Sequence, residues 1–216
     1  MNKSLNKPSK GLPAKSPTSQ VRIIGGQWKR SSLPVVAIEG LRPTPDRVRE
    51  TLCNWVAHQC GQDWGSLRVL DLFAGTGALG FEAASRGAAQ VVLNELHPQA
   101  ARHLRASIEK LKATNIQVMQ QDALMTLRQT TQPYQLVLLD PPFAQGWLPK
   151  IWPWLSRAVA PQSWVYVECE APLQQILGEP MVELSADDTL PGGWKILRYD
   201  KAGQVHYHLL QFSPSE

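Results

Sequence analysis

An apolar run over 136–143, LVLLDPPF, ends in a carboxylate, two prolines and an aromatic ring. That set of side chains suits an amino nitrogen. The exocyclic amine of a base is a poor nucleophile because its lone pair is delocalised into the ring; acceptors that draw its N–H bonds favour the reactive tetrahedral form. Asp140 offers a carboxylate, and Pro141 offers a carbonyl with no competing N–H. Pro141 and Pro142 each hold the residue before them extended. Phe143 can stack on the base, a contact worth about 1–3 kcal/mol. Earlier in the chain, VLDLFAGTGALG at 69–80 reads as a buried strand running into a glycine turn. Gly75, Gly77 and Gly80 satisfy the G-x-G-x-x-G pattern of dinucleotide sites, with glycine serving where positive φ or close backbone approach is needed. Asp71, four residues before the first of these glycines, would repel a pyrophosphate. It favours an ammonium or sulfonium group, and S-adenosylmethionine carries both. Phe73, Ala74 and Thr76 share the turn and are candidate contacts to the same cofactor.

Two further acids follow in order. Glu95 closes the run VVLNE at 91–95 and is placed to accept ribose hydroxyls. Asp122 follows IQVMQQ at 116–121 and is placed to accept an adenine amino group, with the backbone of Ala123 facing the ring edge. Each alone reads equally well as a solvated strand-end acid. Their succession at three strand ends marks the carboxyl edge, where open α/β sheets bind ligands. Rival readings stay open at this point. An NAD-dependent oxidoreductase shares the glycine turn but has no use for DPPF, a DNA adenine-N6 or protein-glutamine methyltransferase uses the same tetrapeptide, and a non-catalytic RNA-binding assembly factor needs neither.

The elements that must position these residues alternate. From Leu67 the pattern predicts strands near 68–73, 91–95, 116–120, 135–140, 163–169, 181–186 and 205–212. Helices are predicted near 78–86, 98–112, 123–129, 147–158 and 172–177. Such alternation implies an α/β fold with a mostly parallel sheet covered by helices on both faces. Pro191-Gly192-Gly193 marks a turn before a terminal antiparallel hairpin, as in the Rossmann-like seven-stranded class I methyltransferase plan. Before this region, VRIIGG and LPVVAIEG form a small β-ribbon, and Thr44 with Pro45 and Asp46 reads as a helix start, Thr44 being the N-cap. Val48, Leu52, Trp55 and Val56 recur at helical spacing. The expected organisation is a basic disordered tail over 1–20, a ribbon and helix over 21–60, and the sheet domain over 61–216. Trp147, Trp152 and Trp154 either wall a base pocket or belong to the core; Glu168 and Glu170 have no visible partner.

Charge is unevenly placed. Residues 1–50 hold ten Lys/Arg against three Asp/Glu, whereas 51–216 hold twelve against fifteen. A basic arm on a mildly acidic body is a nucleic-acid pattern, though a solvated charged tail accounts equally well for Lys3, Lys7, Lys10 and Lys15. Arg22, Trp28, Lys29 and Arg30 mix cations with an aromatic ring, as RNA-binding surfaces do, and Arg42, Arg47 and Arg49 are candidates for phosphate or cofactor-carboxylate contact. No signal-like apolar region opens the chain, and no run of apolar residues reaches membrane-spanning length. Three cysteines, Cys53, Cys60 and Cys169, form no C-x-x-C pair. They fit a reducing cytoplasm and no metal site. A monomer is expected.

The stretches RIIGGQW (22–28), LRPTPDRVRETLCNWV (41–56), DLFAGTGALGFEAASRGA, YVECE and KAGQVHYHL resemble the bacterial ribosomal RNA small-subunit methyltransferase D family. DPPF itself resembles motif IV of amino-group methyltransferases. The resemblance spans about Val21 to Phe212. It implies a class I fold, S-adenosylmethionine as cofactor, and methyl transfer to the N2 amino of one guanine in 16S rRNA, with the rRNA or a small-subunit assembly particle as partner. The chain departs from the family's usual Arg/Gly character at Lys29-Arg30-Ser31-Ser32.

Overall fold

The computed structural model describes residues 20–35, 44–179 and 189–213. The basic tail, Arg42 and the strand expected over 181–186 lie outside these residues. The expected ribbon is formed by β1 (Gln20–Arg22) and β2 (Ser32–Pro34), paired antiparallel with Val21 opposite Leu33. Helix α1 (Asp46–Gln59) follows. Its first helical residue is Asp46, and Pro45 stands at the cap with no side-chain hydrogen bond. Thr44 is therefore not the N-cap; its hydroxyl is turned elsewhere.

The main sheet then assembles from β3 (Arg68–Asp71), β4 (Gln90–Asn94), β5 (Ile116–Met119), β6 (Tyr134–Leu139) and β7 (Val159–Cys169), all parallel. Helices α2 (Ala78–Ser85), α3 (Pro98–Leu111) and α4 (Ala123–Gln129) make the first crossovers, and α5 (Trp147–Ala158) runs directly into β7. A short α6 (Leu173–Leu177) follows β7. Strands β8 (Thr189–Leu190), β9 (Trp194–Ala202) and β10 (Val205–Phe212) complete an eight-stranded sheet of order β5-β4-β3-β6-β7-β10-β9-β8.

Three details differ from the sequence reading. Strand β7 begins at Val159 rather than 163. The terminal hairpin is made by β9 and β10 about Gly203, at φ +61°. The Pro191–Gly193 turn precedes that hairpin as expected, but it is entered from a short strand, β8, that the sequence reading did not include. β9 escaped notice because its sequence, WKILRYDKA, carries four charges, and β8 covers only its first residues, Trp194 and Lys195. The rest is an outer strand, where charge is tolerated and blunts edge pairing.

The central strands are apolar on both sides because both faces are covered. Side chains alternate across the strands. Val69, Leu136, Leu138, Tyr166 and Tyr207 join one core with residues of α1, α2 and α3. Leu70, Val137, Leu139, Val165 and Val167 join the other, with residues of α4, α5 and α6. The chain passes from β3 outward through β4 and β5, then returns to β6 on the other side of β3. That reversal is a topological switch point, and the crevice beyond the carboxyl ends of β3 and β6 is where such sheets bind ligands.

The N-terminal block is fastened to α2. Glu82, 1% exposed, accepts hydrogen bonds from the backbone N–H groups of Ile24 and Gly25. The Ser85 hydroxyl donates to the Gly25 carbonyl and accepts from the Trp28 N–H at 2.9 Å. Gly26 sits at φ +75°, and a Cβ there would stand 1.8 Å from the Ser85 carbonyl oxygen. The second glycine of RIIGGQW is thus required for the ribbon to lie flat on the helix.

Candidate active site

Asp71 ends β3, next to β6 in register with Leu138. It is fully buried; its Oδ2 accepts the Gly80 N–H at 3.0 Å, while Oδ1 has no hydrogen-bond partner. Burial, opposed by the Gly80 N–H and reinforced by the charges of Asp140 and Glu95, pushes its carboxyl up to about 7. The glycine turn follows. Gly75 and Gly77 take φ of +53° and +79°, and a Cβ on Gly77 would meet the Phe81 and Leu104 side chains within 2.7 Å. Gly80 lies inside α2, where its missing Cβ makes room for Leu93. Ala74 and Thr76 are buried and Phe73 is half-buried.

Glu95, just beyond β4, braces this turn. Its Oε2 accepts the Gly75 N–H at 2.8 Å and its Oε1 the His97 N–H at 2.7 Å. Asp122 caps α4 through Oδ1, which accepts from the N–H groups of Leu124 and Met125. Its other oxygen takes no part in that cap. Ala123 is buried beside it. The four parallel strands β5, β4, β3 and β6 thus carry Asp122, Glu95, Asp71 and Asp140 to one edge of the sheet.

Asp140 is half-buried and Pro141 buried, whereas Phe143 is 38% exposed. The loop after them is pinned: Ala144, at φ +59°, donates its N–H to Glu170 Oε1 at 2.8 Å. Glu170, without a role in the sequence, therefore holds the DPPF loop. The Trp147 ring packs edge-on against Phe73, with centroids 5.5 Å apart, so the glycine-turn segment meets the helix that follows DPPF. Trp152 and Trp154 pack on the second core. Arg128 lies over the Trp154 ring at 4.4 Å.

Three residues, Thr44, Tyr166 and Glu168, join the site that sequence reasoning did not place there. The Thr44 hydroxyl lies 3.2 Å from Asp140 Oδ2 and 3.0 Å from Glu168 Oε1, and the Tyr166 hydroxyl donates to that same Glu168 oxygen at 2.9 Å. Burial raises both carboxyls above their ordinary range, Glu168 further, with the charge of Asp140 adding to it. The one available signal was the position of Glu168 at the end of an apolar strand in YVECE.

The candidate RNA contacts divide. Arg22, Lys29, Arg30 and Arg47 are exposed, and Arg22 and Arg30 line a shallow cleft of about 170 Å³ with Asp46. Arg49 and Trp28, expected at an RNA-facing surface, are instead buried. Arg49 is 0% exposed, and its guanidinium is held by Glu82 at 3.1 Å, Asp46 at 2.7 Å and the Arg22 carbonyl at 2.8 Å. It offers nothing to a phosphate, because a buried carboxylate has claimed it. Trp28 is buried in the first core rather than presented as a stacking platform.

A doubly covered, mostly parallel sheet, reversing at the strand pair that carries the glycine turn and the DPPF tetrapeptide, defines the Rossmann-like methyltransferase fold. The family model described as conserved hypothetical protein 95 matches residues 21–211. Ribosomal RNA small subunit methyltransferase D of Escherichia coli strain K12 is 40% identical, over 92% of this chain and 93% of its own. The Haemophilus influenzae protein of the same name is 37% identical, over 89% and 94%. The chain belongs to the ribosomal RNA small-subunit methyltransferase D family. The solved structure of yhhF from Escherichia coli is 39% identical with a TM-score of 0.74, covering 91% of this chain and 100% of that one. The RNA methyltransferase from Salinibacter ruber, in complex with S-adenosyl-L-homocysteine, shares the fold at 17% identity and a TM-score of 0.57, over 81% of this chain and 96% of that one.

Proposed function

We propose that the chain transfers a methyl group from S-adenosylmethionine to the N2 amino of one guanine in 16S rRNA, carried either as RNA or in a small-subunit assembly particle. The observation that carries this reading is the adjacency of Asp71 and Asp140 on neighbouring parallel strands at the switch point. The residues fit the cofactor. Asp71 Oδ1 is a buried acceptor with no partner, and a cationic ligand would offset the burial and the like charges that together raise its pKa. When bound, S-adenosylmethionine supplies an electrophilic methyl group.

The chain's own residues do the rest. Asp71, the Gly75–Gly77 turn, Glu95 and Asp122 bind; Phe73, Ala74, Thr76 and Ala123 wall the same edge. Asp140 and the Pro141 carbonyl accept the two N–H bonds of the target amine and keep its lone pair directed outward. Pro142 fixes the backbone, and the exposed Phe143 ring stacks on the base. Holding both reactants in this geometry can supply about 7–11 kcal/mol of the barrier. Exposed Arg22, Lys29, Arg30 and Arg47 supply charge for the RNA backbone. We expect Asp140→Ala to retain cofactor binding by calorimetry while losing methyl transfer to deproteinised 16S rRNA or to particles. Loss of cofactor binding with the fold intact would contradict the assignment of Asp140 to the amine.

A further inference from the structure

We propose that Glu168 and Asp140 form a proton-sharing carboxylate pair bridged by the Thr44 hydroxyl, and that Glu168 is a positioning residue holding the spare proton of that pair. The inference rests on the amino-methyl transfer proposed above and adds a partner to its central residue.

Hydrogen counting carries it. Thr44 Oγ1 lies within hydrogen-bond distance of Asp140 Oδ2 and Glu168 Oε1, at 3.2 and 3.0 Å, yet a hydroxyl has one hydrogen to give. Both contacts are full two-centre hydrogen bonds only if one carboxyl carries a proton and donates it to Thr44; otherwise one hydrogen is split between two acceptors. The surroundings favour that extra proton. Thr44 is 5% exposed, Glu168 2% and Tyr166 0%, and a third acid, Asp71, stands at the end of the adjoining strand. Two ionised carboxylates about one hydroxyl in a buried site repel strongly, so one stays neutral. Glu168 is the one: it is the deeper of the two, 2% exposed against a half-buried Asp140, and burial with the charge of Asp140 raises its carboxyl against the opposing hydrogen bonds from Tyr166 and Thr44.

With the proton on Glu168, Thr44 accepts from Glu168 and donates to Asp140. Asp140 then meets the substrate as an anion in a fixed orientation. In the transfer a nitrogen–carbon bond forms, the sulfonium carbon–sulfur bond breaks with its electron pair left on sulfur, and the nitrogen sheds one proton to Asp140. The pair passes from one negative charge to none. The proton leaves to solvent from Asp140, the more exposed partner.

The test combines two readouts. In carboxyl-¹³C NMR of the ligand-free protein, Glu168 is expected to be protonated at pH 7 and the pair to titrate in two coupled steps; Glu168→Gln leaves a single step from Asp140. In steady-state transfer to rRNA, Glu168→Ala and Thr44→Val should lower kcat by about 10²-fold, the scale on which misplacing the proton acceptor Asp140 acts, with KM values unchanged, whereas Glu168→Gln, which keeps a neutral donor toward Thr44, and Thr44→Ser should retain most of it. A Glu168 ionised at pH 7, or wild-type kcat in Thr44→Val, overturns the pairing. Wild-type protein that methylates no RNA amino nitrogen overturns the proposed function and the proton role with it, while the titration still decides whether the carboxyls share a proton.

Discussion

Three acids crowd the carboxyl end of β3, β6 and β7, and their burial has a thermodynamic signature. A carboxyl whose folded pKa is raised prefers its proton in the folded state. Its contribution to stability is complete below the unfolded value and is lost as pH rises through the folded one. For Asp71 that window runs from 3.8 to about 7, each unit corresponding to about 1.4 kcal/mol. We therefore expect the ligand-free protein to lose stability across this range, and Asp71→Asn, which keeps an acceptor for the Gly80 N–H, to flatten the profile and raise Tm at pH 8. Equal slopes for both proteins, measured by thermal melts across pH, would contradict this. Asp71 and Asp140 were legible in the sequence because each sits inside a local motif. Thr44 and Glu168 were not, since the contacts that define them span 96 and 124 residues. Local chemistry pointed Thr44 toward a helix cap, and a tertiary contact claimed its hydroxyl instead.

The N-terminal ribbon and α1 owe their placement to a few buried polar groups on α2. Arg49 joins ribbon to helix through Glu82 and the Arg22 carbonyl. Removing one partner of a buried pair typically costs about 3–5 kcal/mol, so Arg49→Ala should lower chemical-denaturation stability by that order. It should also reduce methyl transfer, because α1 is preceded by Thr44. A loss below about 1 kcal/mol would show that Glu82 does not depend on the guanidinium. Gly26→Ala meets the Ser85 carbonyl and a positive φ together. It should destabilise by more than the roughly 0.4–1 kcal/mol by which replacements at compatible glycines stabilise, and hydrogen exchange should show loss of protection first in the ribbon. The alternating strands and helices were legible because hydrophobic period changes from strand to helix. β9 was hidden by its charges, and Arg49 was misread because sequence spacing cannot tell a buried cation from a solvated one.

At the scale of the molecule, the net positive charge is concentrated in residues 1–50 and the sheet body is mildly acidic. No helix among the described residues is long and apolar enough to cross a membrane. Binding to RNA should weaken with salt, and charge reversal at Arg30 and Arg47 together should lower the slope of log affinity against log salt by about 1–2, from roughly 0.7–0.9 per phosphate contact. An unchanged slope would place the RNA on another face. Fold class and the order of site acids were legible because strand order dictates which carboxyl ends are neighbours. The attachment of the N-terminal block to that edge was not, because it depends on packing between segments far apart in sequence. The most direct test is transfer of labelled methyl from S-adenosylmethionine to small-subunit particles from cells lacking this gene, with the modified nucleoside identified by mass. The account requires N2-methylguanosine at one 16S site; methyl on another base, or no transfer by a protein that binds the cofactor, would contradict it.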